Sequence, residues 1–286
     1  MKILKPLIAS AIYAGTAGAV SQVILILYSV ILGRDFPGLL PLTVLTLGVL
    51  MMCLYIGGLI QPLIPLCGFG AILPLPSLVA AVADGILEVQ KSGAPFKKAY
   101  KLSSAPVKKM LTIAFCASLV FSVVVWAFKQ TPDFAVTAID PSSVTPVMGI
   151  VWSFIIAAGV GFVGQIIMMI LRPTMQGVLN ILLCTYCFSA ILAVFGISQY
   201  LNALGTGGYS FQVLCAGETV FTSIYIGMIQ GQWPVAIMRL VLFCAVIASM
   251  FGWGMIAARI RGKKSLPSGQ NAPVFQQEKQ AGKEQG

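Results

Sequence analysis

The sequence predicts an all-α polytopic membrane protein: about six transmembrane helices in two inverted three-helix repeats, each with a glycine-rich broken or re-entrant segment. Three observations carry this reading. Of 286 residues, 58% are hydrophobic and only 9% are charged, where a soluble domain carries roughly a quarter. The charges also cluster. None lies between Lys5 and Arg34, Asp35 and Asp84, Lys109 and Lys129, or Asp140 and Arg172, and from Arg172 to Arg239 only Glu218 is charged. Each gap meets or exceeds the roughly 20 apolar residues that one spanning helix needs. Finally, an unusual phrase occurs twice: an apolar run ends in Gly58-Leu-Ile-Gln61 and again in Gly196-Ile-Ser-Gln199, and each time the chain turns glycine-rich.

The spans expected are 7–32, 40–64, 108–128, 148–171, 176–200 and 236–258. The first has the look of a signal peptide, but its apolar run continues to Leu32, too long for an h-region of about 7–15 residues, so it reads as a helix that stays. Gly33-Arg-Asp-Phe-Pro-Gly38 and Arg172-Pro173 are turns in which proline and charge stop a helix. The chain divides into a first membrane repeat (1–130), a linker loop (131–147), a second repeat (148–261) and a basic tail (262–286). The tail's Gly, Lys, Gln, Ser and Pro cannot bury a core and predict disorder.

Two stretches resist assignment: 65–90 and 203–230. Both are long enough to span, yet both carry glycines and polar or ionisable residues that a lipid-facing helix avoids. Charge sidedness favours their re-entering. With six spans, Lys2, Lys5, the connection with Lys91, Lys97, Lys98, Lys101, Lys108 and Lys109, Arg172 and the tail all fall on one side. Eight spans would put those six lysines opposite the N-terminus, against the orientation bias of membrane proteins.

Aligned without a gap, Gly58–Gly93 and Gly196–Gly231 share Gly58/Gly196, Gln61/Gln199, Leu63/Leu201, Leu66/Leu204, Gly70/Gly208, Val82/Val220, Ile86/Ile224 and Gly93/Gly231. Upstream, Gly18-Ala-Val-Ser-Gln22 matches Gly161-Phe-Val-Gly-Gln165. Each half therefore reads as a helix with an internal glutamine, a helix ending in Gly-x-x-Gln, a glycine-rich break and a further helix. Three spans per unit turn the second unit upside down, and breaks at mid-membrane then form a substrate pathway, because unwound backbone is tolerated only where it lines a cavity or a protein interior.

These motifs resemble one family. Gly18 and Gln22, then Gly58-Leu-Ile-Gln-Pro-Leu63 with Gly68-Phe-Gly-Ala-Ile-Leu-Pro74, then Gly85-Ile-Leu-Glu88, resemble the SpoVA family of stage V sporulation membrane proteins. The resemblance covers about 15–93 and, through Gln165, Gly196, Gln199 and Gly208, extends to 158–231. The second half departs from it: Gly205-Thr-Gly-Gly-Tyr209 has no following proline, and two units in one chain is not that family's usual arrangement. The resemblance implies a multi-pass protein of the spore inner membrane, working with other SpoVA-type subunits, that moves dipicolinic acid or its calcium complex.

The residues expected on a pathway are Glu218, Gln22, Gln61, Gln165, Gln199, Gly70, Gly207 and Gly208. An ionised carboxylate at membrane depth costs about 3 kcal/mol or more. Glu218 therefore lines water, holds a cation or proton, pairs with Arg239 or a partner subunit, or lies shallow and wet. The four glutamines serve either interhelical hydrogen bonds or the path, and the three glycines are expected to permit the backbone break. Asp84 and Glu88, four residues apart on one helix face, form either a candidate cation site or a solvated helix end. The lysine-rich connection suits topology and anionic lipid, and would attract a small anionic solute.

Other classes fare worse. The net charge of +10 comes with no nucleic-acid-reading motif. With no histidine, no nucleophile–base pair and no nucleotide-binding loop, the chain does not read as an enzyme, and no cofactor is expected. Cys184 and Cys187 form a lone CxxC inside an apolar run, so no metal site is expected either. The alternative to a channel or transport component is a non-conducting structural subunit of a membrane complex.

Overall fold

The computed structural model describes residues 4–34, 36, 38–127, 144–171, 175–212 and 215–263. Among them, every regular element is a helix: α1 (Leu4–Leu32), α2 (Leu39–Ile56), the short α3 (Leu63–Cys67) and α4 (Phe69–Ile72), α5 (Ser77–Lys91), α6 (Phe96–Ala127), α7 (Pro146–Leu171), α8 (Met175–Val194), α9 (Ile197–Tyr209), α10 (Cys215–Gln230) and α11 (Trp233–Lys263). Most of linker 131–147 and all of the tail from 264 lie outside the described residues.

Four of these helices, α1, α2, α7 and α11, are long and apolar enough to cross a membrane. A fifth span results if α8 and α9, bent by 111° about Gly196, count as one. The protein is thus a multi-pass membrane protein with four to five candidate spans among the described residues, fewer than the six expected: α6, which contains most of the expected span 108–128, is not one of them. The expected span 40–64 is cut short: Gly58, at φ +81, turns the chain after Ile56, and α3 restarts at Leu63. At the other end α11 runs through Gly262 to Lys263, past the expected boundary at 258.

The halves do not sit side by side as separate bundles. α1 and α7 cross antiparallel in the register 10/161, 14/157, 18/153. The Ser10 hydroxyl donates to the Gly161 carbonyl at 2.8 Å, and a Cβ on Gly161 or Gly18 would come within 2.7 Å of the Ala14 or Ala157 methyl. Small residues at this crossing let the backbones close in, as membrane helix pairs require. Elsewhere the halves exchange partners: α11 packs on α2 and α5, and α6 packs on α8 and α10. One core therefore joins Tyr55 and Val79 of the first half to Met250 and Ala257 of the second.

The outer faces are apolar. On α1, Ile8, Ile12, Val23 and Leu27 are exposed, and α6 carries an open groove walled by Ile113, Cys116, Val120 and Val124. Faces of this kind fit contact with membrane lipid.

Candidate functional site: paired backbone breaks

Each half breaks its helices at nearly the same place in the repeat, the second break falling one residue earlier in register than the first. In the first, α3 and α4 are separated at Gly68, whose φ of +51 a side-chain-bearing residue rarely adopts. In the second, the break inside α9 falls at Gly205, in extended backbone open to any residue (φ −162°, ψ 85°). The glycines at the ends of the frame also match in conformation: Gly58 and Gly196 have φ of +81 and +71, Gly93 and Gly231 of +83 and +65. The expected role of Gly70, Gly207 and Gly208 is corrected here. They lie in helical turns, and what they permit is close approach. A Cβ on Gly70 would overlap the Ser10 carbonyl, one on Gly208 the Ser153 carbonyl, and one on Gly207 the backbone of Gln22.

The unwound backbone is satisfied from the opposite half. Phe69 N–H donates to Gln165 Oε1 at 2.7 Å, and Gly207 N–H donates to Gln22 Oε1, also at 2.7 Å. Gln22 corresponds to Gln165 and Phe69 to Gly207 in the repeat register, so this is one interaction made twice. Ser10 adds a second tie, accepting from Gly70 N–H at 2.8 Å, while its counterpart Ser153 donates to Gln22 Oε1 at 3.1 Å. Beyond the breaks the two chains meet. Leu75 N–H donates to Phe211 O at 2.9 Å, and Pro74 forms an antiparallel bridge with Gln212, its own repeat counterpart. Beside this meeting point is a cavity of about 10 Å³, bordered by Ala14, Gly18, Ser21, Pro74, Gly207 and Gln212. That is room for about one water.

Gln61 and Gln199 do not join this centre. Gln61 Oε1 is buried without a hydrogen bond, and Gln199 Oε1 accepts from the Ser198 hydroxyl at 3.0 Å.

Glu218 lies in the first turn of α10 and is buried, 8% exposed. Its N–H donates to the Ser189 hydroxyl at 3.1 Å. The Ser198 and Tyr209 hydroxyls lie beside its carboxyl group. Glu218 Oε2 and the Tyr209 hydroxyl are nevertheless shut off from solvent without a hydrogen bond. Arg239 is exposed and is not among the groups beside it. A buried, uncompensated carboxylate costs several kcal/mol, while the amino end of a helix returns at most about 2 kcal/mol.

Asp84 accepts a hydrogen bond from the Tyr55 hydroxyl. Arg261 of α11 donates to the Tyr55 carbonyl at 2.7 Å, with its guanidinium 5.1 Å from the Tyr55 ring centre. Glu88 is exposed on the next turn. Among the described residues, no three acidic or cysteine side chains gather in a metal-binding group.

Sequence reasoning missed Ser10, Ser153, Tyr55, Ser198, Tyr209 and Arg261. For the first two a signal was present: Ser10 precedes Gly18 by the same interval as Ser153 precedes Gly161. No family model, curated protein or solved structure matches this chain.

Proposed function

We propose that the chain is a membrane channel or transport component for a small anionic solute, built as two inverted units of three spans each. By its resemblance to the SpoVA family, the solute is dipicolinic acid or its calcium complex, the membrane is the spore inner membrane, and other SpoVA-type subunits are its partners. One observation carries the reading. Two broken segments meet at the centre, each with a backbone N–H held by the glutamine of the opposite unit. Helices interrupted where two antiparallel repeats meet are what alternating or gated passage uses. Conduction through this path requires the segments to separate, since the cavity between them holds about one water.

That small cavity also favours a second reading, a non-conducting subunit that packs beside a conducting partner. Flux separates the two. Purified protein is reconstituted in liposomes loaded with dipicolinate, and release is followed by terbium luminescence outside. Protein-dependent release supports the transport reading. Release no faster than from protein-free vesicles, with protein shown to be folded, supports the subunit reading.

A further inference from the structure

Three side chains of the second unit, Ser198, Tyr209 and Glu218, gather where the first unit has Ile60, Ala71 and Ala80 at the matching positions. The cluster is thus a feature of one unit and not of the repeated frame. It is also incomplete. Glu218 is more than nine-tenths buried, and its Oε2 and the Tyr209 hydroxyl beside it are both buried without a hydrogen bond.

The groups packed around Glu218 bring no positive charge. From α9 come Ser198 and Tyr209, from α8 Ser189, and on α10 itself Cys215 and Thr219. The adjoining cluster of Tyr186, Ala216, Val220 and Ile224, with Leu240 and Phe243 of α11, is apolar apart from the Tyr186 hydroxyl. Arg239 is exposed. A carboxylate here would be buried with no cation among its neighbours, and a buried charge in that state is costly. Among the described residues, no second acidic side chain joins Glu218 in a metal-binding group.

We propose that Glu218 is a proton-binding site: the second unit carries one proton on this carboxyl group, held against the Tyr209 and Ser198 hydroxyls. Both carboxyl oxygens then have a use, one bearing the O–H donor and the other accepting from a hydroxyl. Because a carboxyl group exposed to water no longer needs that proton, separating α9 from α10 would release it. Rearrangement of the second broken segment would thereby be tied to proton exchange, and the first segment, with Ala80, would move without one. The inference stands under either reading of the chain's function, because it rests on burial and neighbours and not on what the path conducts.

The test is isotope-edited infrared spectroscopy of the full chain in liposomes at neutral pH. The protein is labelled with 13C-carboxyl glutamate. A protonated-carboxyl C=O band that shifts on labelling, and that is lost in E218Q, is the expected result. E218D provides a second variant should E218Q fail to fold: it keeps an acid at the site, so the band remains but no longer shifts with glutamate labelling. Absence of any label-sensitive protonated-carboxyl band in the native chain, or its survival in both variants, would overturn the proposal. Flux plays no part in this readout, so a failure here is distinguishable from a failure of the transport reading.

Discussion

In the first unit, Tyr55 at the end of α2 donates to Asp84, and Arg261 donates to the Tyr55 carbonyl. The matching positions for Tyr55 and Asp84 in the second unit are Ala193 and Thr222, and the space is filled by Phe121, Phe221 and Tyr225, with Phe121 and Phe221 ring centres 5.5 Å apart. Beside the breaks the contrast reverses. There the first unit is apolar with Ile60, Ala71 and Ala80, and the second carries Ser198, Tyr209 and Glu218. What the units share is backbone: the two glutamine bonds, the antiparallel meeting of Pro74 and Gln212, and glycines with the same sign of φ. The lesson is that the two units coincide where each completes the other's backbone hydrogen bonds, and differ in chemistry at side chains outside that exchange.

The comparison is broken most severely at the shared glycines. A methyl group on Gly70 would overlap the Ser10 carbonyl, and one on Gly208 the Ser153 carbonyl. Backbone cannot swing aside as the tip of a flexible side chain can. Gly70→Ala and Gly208→Ala should each cost about 3 kcal/mol or more, by similar amounts, in unfolding experiments in mixed micelles. A variant in one unit that unfolds the protein while its counterpart is tolerated would show that the frame is not held equally from both sides.

Much of this frame was legible because it is written in residue types with few substitutes. Charge-free runs marked long apolar helices, of which four to five are candidate spans where six were expected. The glycine-rich stretches after Gln61 and Gln199 marked the regions of the breaks, which fall at Gly68 and Gly205. The mechanism was less legible. Gly70, Gly207 and Gly208 read as breakers, but a glycine chosen for close approach looks the same in sequence as one chosen for its φ, and only the neighbour at Ser10, Ser153 or Gln22 tells them apart. Gln22 and Gln165 were visible as a pair, yet their partners lie in the other half, and no local pattern reports a contact between residues 69 and 165. Tyr55 and Arg261 were hidden for the same reason: an aromatic at a helix end and an arginine near the tail are each ordinary, and only packing of α11 on α2 joins them.

A moderate effect sharpens the comparison at the glutamines. Gln165→Leu strips Phe69 N–H of its acceptor in a site where Gln165 itself is only 7% exposed. Leaving a buried donor unpaired costs about 1–3 kcal/mol. Gln22→Leu does the same to Gly207 N–H, but Gln22 is half-buried and the Ser153 hydroxyl, which now donates to it, is at hand as a replacement acceptor. The expected order is thus a larger loss for Gln165→Leu than for Gln22→Leu, again read from unfolding in micelles. Equal losses would mean that Ser153 does not step in, and the two bonds would then be equivalent in energy as well as in geometry.

The smallest effect concerns Asp84 and Glu88, which the sequence offers as a candidate cation site and the second unit lacks. Asp84 is already engaged by the Tyr55 hydroxyl, with Arg261 close enough to offset its charge. Glu88 is exposed, one turn on. Calcium seeks six to eight oxygens, and recruiting these two carboxyl groups would first require Asp84 to give up Tyr55. Glu88→Gln should therefore change stability by no more than about 0.5 kcal/mol, the usual range for an exposed substitution, and calcium should shift the melting temperature of native and variant protein equally. Stabilisation by calcium that disappears in Glu88→Gln would reverse the assignment. The first unit would then carry a metal-binding carboxylate pair at its periphery, and the polar cluster at Tyr55 would be the resting state of a site that calcium opens.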